Sequence, residues 1–207
     1  MKLAENILKA FGIIVFVALV LLVVLYLLVF AYTYYSFQTS HWTTGPDEAG
    51  FWYYYWDGLH KTASVVRCDI DPSLGHTEIT IPESYGEYPV EELGGHVGKG
   101  WSPFNVEFDN IKTTASVVPS EGSFLWYTEK RNLEIVYVDL RLQIGSGIRR
   151  ILAEQGGLEA GTKLYVPRMY ITCDPDNRWF YSENGRLYDK KGNLVEGFFW
   201  WDEEYGG

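Results

Sequence analysis

The 207-residue sequence is poor in cysteine, in histidine and in basic residues. Two cysteines cannot build the disulfide framework of a small secreted domain. Four histidines, at 41, 60, 76 and 96, include no pair at ligand spacing, which argues against a zinc site. Seventeen Lys and Arg against 27 Asp and Glu leave a formal charge of −10. So acidic a chain is unsuited to nucleic acid, whose phosphates need clustered cations. No Gly-x-Ser-x-Gly elbow is present, and Gly145-Ser146-Gly147 reads as a flexible turn rather than a nucleophile site. No Asn-x-Ser/Thr acceptor occurs either.

Charge is missing most completely near the N-terminus. Residues 10–32 are apolar at every position except Gly12 and carry no ionisable acid or base apart from the tyrosine phenols. A helix of that length spans about 34 Å, enough for a hydrocarbon core of about 30 Å. A helix apolar on all sides has no face for water, so a transmembrane anchor is expected over 10–32. A cleaved signal peptide has an apolar stretch of only about 7–15 residues, and Ala31-Tyr32-Thr33 makes a poor cleavage site. Lys2 and Lys9 precede the run, Glu5 offsets one of them, and no further Lys or Arg appears before Lys61. The positive-inside rule then leaves residues 1–9 in the cytoplasm and sends the rest outside, which implies a single-pass plasma-membrane protein. Tyr32, Tyr34, Tyr35, Phe37 and Trp42 cluster where rings favour the lipid–water boundary.

Beyond the run the chain is an ordinary domain, about 40% apolar. Polar, turn-rich residues close a stalk over 33–50, and a β-rich extracytoplasmic domain is expected over 51–207. Six consecutive aromatics at 51–56 suggest a strand buried on both faces. Strand signals recur at 64–68, 77–81, 104–108, 133–142 and 162–166. Asn184-Gly185 and Lys191-Gly192-Asn193 mark turns of a C-terminal meander through 179–181, 187–189 and 194–200. The one soluble helix expected is at 148–155, stopped by Gly156-Gly157. Taking Ile79, Val106, Val136 and Leu164 as strand centres gives spacings of 27, 30 and 28, the period of a solenoid with one strand per coil. An antiparallel β-sandwich is the alternative fold.

The stretch Thr77-Glu78-Ile79-Thr80-Ile81-Pro82-Glu83-Ser84-Tyr85-Gly86-Glu87-Tyr88-Pro89-Val90-Glu91-Glu92-Leu93-Gly94 resembles the repeat unit of BspA-like leucine-rich repeat proteins of bacteria. Its matching positions are Ile79, Thr80, Ile81, Pro82, Gly86, Tyr88, Pro89, Val90, Leu93 and Gly94. Ile79 and Ile81 are expected to point inward from one strand, and Pro82 to end its ladder. Gly86 and Pro89 would turn the chain, and Val90 and Leu93 would close the far wall of the coil. The usual Ala-Phe pair is replaced by Gly95-His96-Val97. The resemblance implies a mainly β, short, irregular solenoid that is surface-exposed and non-catalytic, with a sheet that contacts other proteins. It carries no catalytic residue, metal or cofactor.

Candidate contact residues are Trp101, Trp179, Trp200 and Trp201, which stand near Gly and polar residues. The competing classes are carbohydrate recognition by stacked rings and a glycoside hydrolase using an acidic pair from Glu83, Glu91 and Glu92. The Asp69-Ile70-Asp71-Pro72-Ser73 and Asp174-Pro175-Asp176-Asn177 clusters read as turns, since a calcium loop wants Gly where Leu74 stands. Cys68 and Cys173 bear on architecture: a long linear solenoid would keep them beyond the reach of a disulfide.

Overall fold

A computed structural model describes residues 2–71, 73, 77–97, 100–109, 111–112, 114–117, 128 and 131–201. His76, Pro72 and Leu74 lie outside the described residues. The chain divides into two compact units, Met1–Ser40 and His41–Gly207.

The first unit is one helix, α1 (Lys2–Gln38). Within it Ala10–Tyr35 is long and apolar enough to cross a membrane, and its side chains are exposed throughout. Helix geometry runs past residue 32, into what the sequence suggested was stalk. Hydroxyls of Thr33 and Thr39 bond back to the carbonyls of Val29 and Tyr35, which satisfies polar groups locally.

The second unit is mainly β. In chain order its strands are β1 (Ser40–Trp42), β2 (Phe51–Trp56), β3 (Thr62–Ile70), β4 (Glu78–Thr80), β5 (Ser84–Tyr85), β6 (Tyr88–Leu93), β7 (Gly95–Val97) and β8 (Gly100–Ser102). There follow β9 (Asn105–Phe108), β10 (Ala115–Val117), β11 (Glu134–Ile144), β12 (Arg150–Ile151), β13 (Gly157–Ala160), β14 (Lys163–Cys173), β15 (Phe180–Glu183) and β16 (Arg186–Asp189). The first sheet runs β1-β2-β3-β6-β12, with β5 on β6 and β9 on β3. The second runs β10-β13-β14-β11-β4. Both are mixed and unclosed: β2–β3 is antiparallel, whereas β3–β6, β6–β12, β3–β9, β4–β11 and β11–β14 are parallel. Two hairpins, β7–β8 and β15–β16, stand apart from the two sheets.

One core joins the two sheets. Phe51, Tyr53, Val65 and Cys68 from the first meet Leu140, Leu142, Ile144, Met169 and Ile171 from the second. Period-two alternation explains which side chains enter: Leu140, Leu142 and Ile144 are fully buried, and their neighbours between are not. Ile79, Ile81, Val90 and Leu93 of the repeat-like stretch belong to this core. The last ladder bond before Pro82 is donated by Ile81 N–H to Gln143.

Parallel rungs stack in the second sheet at near-constant spacing. Leu140 stands against Met169, and Met169 bridges in parallel to Trp200, separations of 29 and 31 residues. Residues 198–201 alternate accordingly: Phe198 and Trp200 join the main core, while Phe199 covers Leu164 and Val166 on the other face. In the first sheet the Leu93 carbonyl accepts from Leu152 N–H, and Phe104 bridges Ala153. Gly94 sits at the crossing with φ +63°; a Cβ there would collide with the Leu152 carbonyl oxygen.

Several expectations need correction. Residues 148–155 form no helix, because parallel pairing of Arg150 with Glu92 and Ile151 with Leu93 takes their backbone into a sheet. Ion pairs Arg149–Glu91 and Arg150–Glu92 reinforce that rung. The strand centres drawn from spacing do not form one ladder: Ile79 pairs with Leu142, Val106 lies in the other sheet against Cys68, and Val136 faces Tyr165. The pairing of Cys68 and Cys173, which the sequence leaves open, is resolved: both are free thiols. The aromatic strand β2, by contrast, is buried on both faces as its six rings suggest: Phe51 and Tyr53 lie in the main core, and Tyr54 lies with Val66 in a separate cluster. The polar segment after residue 40 is folded: Thr43 pairs with Tyr53, and the Asp47 carboxylate accepts from Ala49 N–H, Phe51 N–H and the Tyr53 hydroxyl. The C-terminal meander is a hairpin, β15–β16, turned by Asn184 and Gly185 at φ +49° and +74°, followed by a single bridge from Tyr188 to Leu194.

Candidate functional site: an aromatic groove on the first sheet

Six aromatics in succession must divide between the faces of a strand. Phe51, Tyr53 and Tyr55 turn toward the core, where Tyr53 and Tyr55 pack on Tyr85 at ring centroid distances of 4.5 and 5.4 Å. Trp52, Tyr54 and Trp56 form a separate cluster with Val66 on the outer face. Tyr54 meets Trp56 edge-on at 4.8 Å and Trp42 of β1 edge-on at 5.2 Å, the geometry favoured by ring quadrupoles.

A β-bulge shapes what stands beside these rings. Trp52 pairs with Arg67 and the next residue, Tyr53, with Val65, so Val66 is left unmatched. The bulge keeps Ala63 and Val65 inward on one side and Cys68 and Ile70 inward on the other. Two consecutive residues, Val66 and Arg67, therefore line the outer face. There they border an open groove of about 540 Å³, together with Trp42, Thr43, Trp52, Ser102, Pro103, Asn105 and Glu107. Asn105 and Glu107 arrive by alternation on β9, whose Val106 and Phe108 are buried.

The polar side of the groove is a linked network. Trp52 Nε1–H donates to Asp69 at 2.7 Å, and Arg67 makes a two-pronged contact with the same carboxylate. Arg67 also reaches Glu107 at 3.2 Å, and its guanidinium lies 4.7 Å from the Trp52 ring centroid. The hydrogen bond to Asp69 holds the Arg67 guanidinium firmly protonated, against the effect of burial. Burial, with the neighbouring Asp69 carboxylate, raises Asp109 above the ordinary carboxylate range. Val66 supplies a buried apolar floor, and Trp42 is 50% exposed at the margin.

The four tryptophans singled out from the sequence are distributed over three places. Trp101 is on β8, 66% exposed, and Trp179 lies in the turn before β15, where Asn177 accepts its backbone N–H. Trp200 is half-buried against Phe198, and Trp201 turns to the opposite face beside Tyr170 and Arg141. Glu91 and Glu92 are adjacent on β6 and so face opposite ways, each held by its own arginine, while Glu83 is exposed. Among the described residues no group of three or more His, Cys, Asp or Glu is placed to hold a metal ion. The groove residues Val66, Arg67, Ser102, Asn105 and Glu107 escaped the sequence reading, whereas Trp52 lies in the aromatic run that also suggested a sugar-stacking platform. The run at 51–56 was the available signal; the bulge that sets Val66 beside Arg67 leaves no mark in composition.

No protein-family model matches the chain, and no curated protein or solved structure matches it. The architecture itself defines the class: a mainly β protein of mixed, open sheets preceded by one apolar helix able to cross a membrane.

Proposed function

We propose that the chain is a single-pass membrane protein that displays a non-catalytic binding domain outside the cell, built as a short, irregular solenoid of the BspA-like leucine-rich repeat kind. The observation that carries the binding role is the open groove beside Trp42 and Trp52, where aromatic and hydrogen-bonding side chains converge on an outer sheet face. The uncharged stretch of α1 supports the anchor, and Lys2 and Lys9 before it support a cytoplasmic N-terminus in the plasma membrane. Parallel rungs at Leu140, Met169 and Trp200 support the solenoid, as does burial of Ile79, Ile81, Val90 and Leu93. With 15 basic and 26 acidic residues after position 32, net −11, the domain is repelled by anionic lipid and free to meet a ligand.

Protease shaving of intact cells tests this. With a tag at each end, external protease is expected to remove the C-terminal tag and spare the N-terminal one, and alkaline carbonate should leave the chain in the membrane. A chain recovered from the medium, or a protected C-terminal tag, overturns the reading.

A further inference from the structure

We infer that the groove on the first sheet is a binding site for a neutral oligosaccharide of hexopyranose units. The inference deepens the proposed function by naming the ligand class of the same face. A sugar ring presents two chemistries at once: an apolar face of C–H bonds and an edge of hydroxyls. The groove presents both complements within one small-ligand volume of about 540 Å³. Trp42, half exposed, offers a ring at the margin, and buried Val66 offers an apolar floor. Around them stand planar, multidentate polar groups: the Asn105 amide, the Glu107 carboxylate and the Arg67 guanidinium, with the Ser102 hydroxyl beside them. Such groups can donate to and accept from adjacent hydroxyls.

The network also prepares these groups in advance. Arg67 is held from three sides, by Asp69, by Glu107 and by the Trp52 ring, so its position is set before a ligand arrives. Prior positioning lowers the ordering cost of binding. The charge balance selects the sugar. Among the described residues one cation, Arg67, stands against two carboxylates, Asp69 and Glu107, in a domain of net −11. A uronic acid or sulfated glycan would meet a net negative site. An uncharged sugar meets hydrogen-bonding groups without that repulsion.

The test uses the full chain in phosphatidylcholine nanodiscs, which avoids sugar-headed detergents. Tryptophan fluorescence and calorimetry would follow titration with cello-, malto-, manno- and chito-tetraose, with tetragalacturonate as the acidic comparison. Binding of at least one neutral tetraose is expected, and tighter than the acidic one. Trp42→Ala should weaken it about tenfold, the scale of one lost aromatic contact. Asn105→Ala should weaken it several-fold, while Tyr137→Ala, on β11 of the second sheet, should leave it unchanged. Thermal unfolding of each variant guards against a folding defect. No neutral binding up to about 10 mM, preference for the acidic tetraose, or indifference to both Trp42→Ala and Asn105→Ala overturns the proposal. In nanodiscs of brominated lipid, quenching that disappears in Trp42→Ala would place that ring in the bilayer interface and also overturn it. A protein that passes the shaving experiment but binds no tetraose loses only this inference.

Discussion

The indole N–H of Trp52 donates to the Asp69 carboxylate at 2.7 Å, across the β2–β3 pair and over the residue that carries the guanidinium, Arg67. One buried carboxylate thereby fixes both a ring and a cation of the groove. Asp69→Asn keeps the shape and removes the charge that two donors share. We expect it to lower the unfolding free energy of the full chain by about 2 kcal/mol, read by urea titration. Trp52→Phe removes one donor while Arg67 still holds Asp69, and should cost about 1 kcal/mol.

Gly94 and Gly197 are where backbones approach most closely. Both have positive φ, and an added Cβ would meet the carbonyl oxygens of Leu152 and Ala153 respectively. Gly94→Ala and Gly197→Ala should each destabilise by about 3 kcal/mol, because the obstacle is the backbone of another segment. Gly86 also has positive φ, at +59°, but open space around it. Gly86→Ala should cost only about 1 kcal/mol. Thermal unfolding of the three variants distinguishes crowding from conformational preference.

The two thiols should differ in reactivity. Burial pushes Cys68 up to about 12, with Asp69, Asp47 and Asp109 adding to the effect. Cys173 is also raised by burial, but Lys190 acts against the rise. At pH 8, thiol reagents should leave native Cys68 unmodified and react with Cys173 more readily, with both reacting in guanidinium. Mass spectrometry after alkylation reads each site.

Acid stability carries two opposite contributions. The Asp189 carboxylate accepts from the Asn193 side chain and from the backbone N–H groups of Asn193 and Lys191, which lower its pKa in the folded state. Its contribution is present above the unfolded value, about 4, and is lost as pH falls through the folded one. The advantage of wild type over Asp189→Asn should therefore be constant above about pH 4 and shrink below it. Asp109 is raised instead, so its ionised form opposes folding. Asp109→Asn should stabilise the protein at pH 7, and the gain should fade as pH drops through the carboxylate range. Urea midpoints across pH 2–7 read both.

The membrane-compatible helix and the β character of the rest were legible because each depends on local pattern. An uncharged apolar stretch of that length reads as a helix able to cross a membrane, and clusters of β-branched and aromatic residues bounded by turn formers read as strands wherever they pair. The hairpin at Asn184-Gly185 was legible for the same reason: its positive φ values are a local demand. The Ile79, Ile81, Val90 and Leu93 positions could be read as inward because alternation needs no knowledge of the partner strand.

Pairing is another matter. That Ile79 lies against Leu142, that Arg150 and Ile151 leave a helical pattern to join Glu92 and Leu93, and that Val66 bulges outward beside Arg67 depend on strands distant in sequence. Register is a competition among many such pairings, settled by burial of a shared core rather than by any segment's own preference. Scarcity of cysteine and of positive charge set limits from composition alone, and those limits needed no structure. The groove did need one, because Trp42, Val66, Arg67, Asn105 and Glu107 belong to three strands that meet only when the sheet has closed on that core.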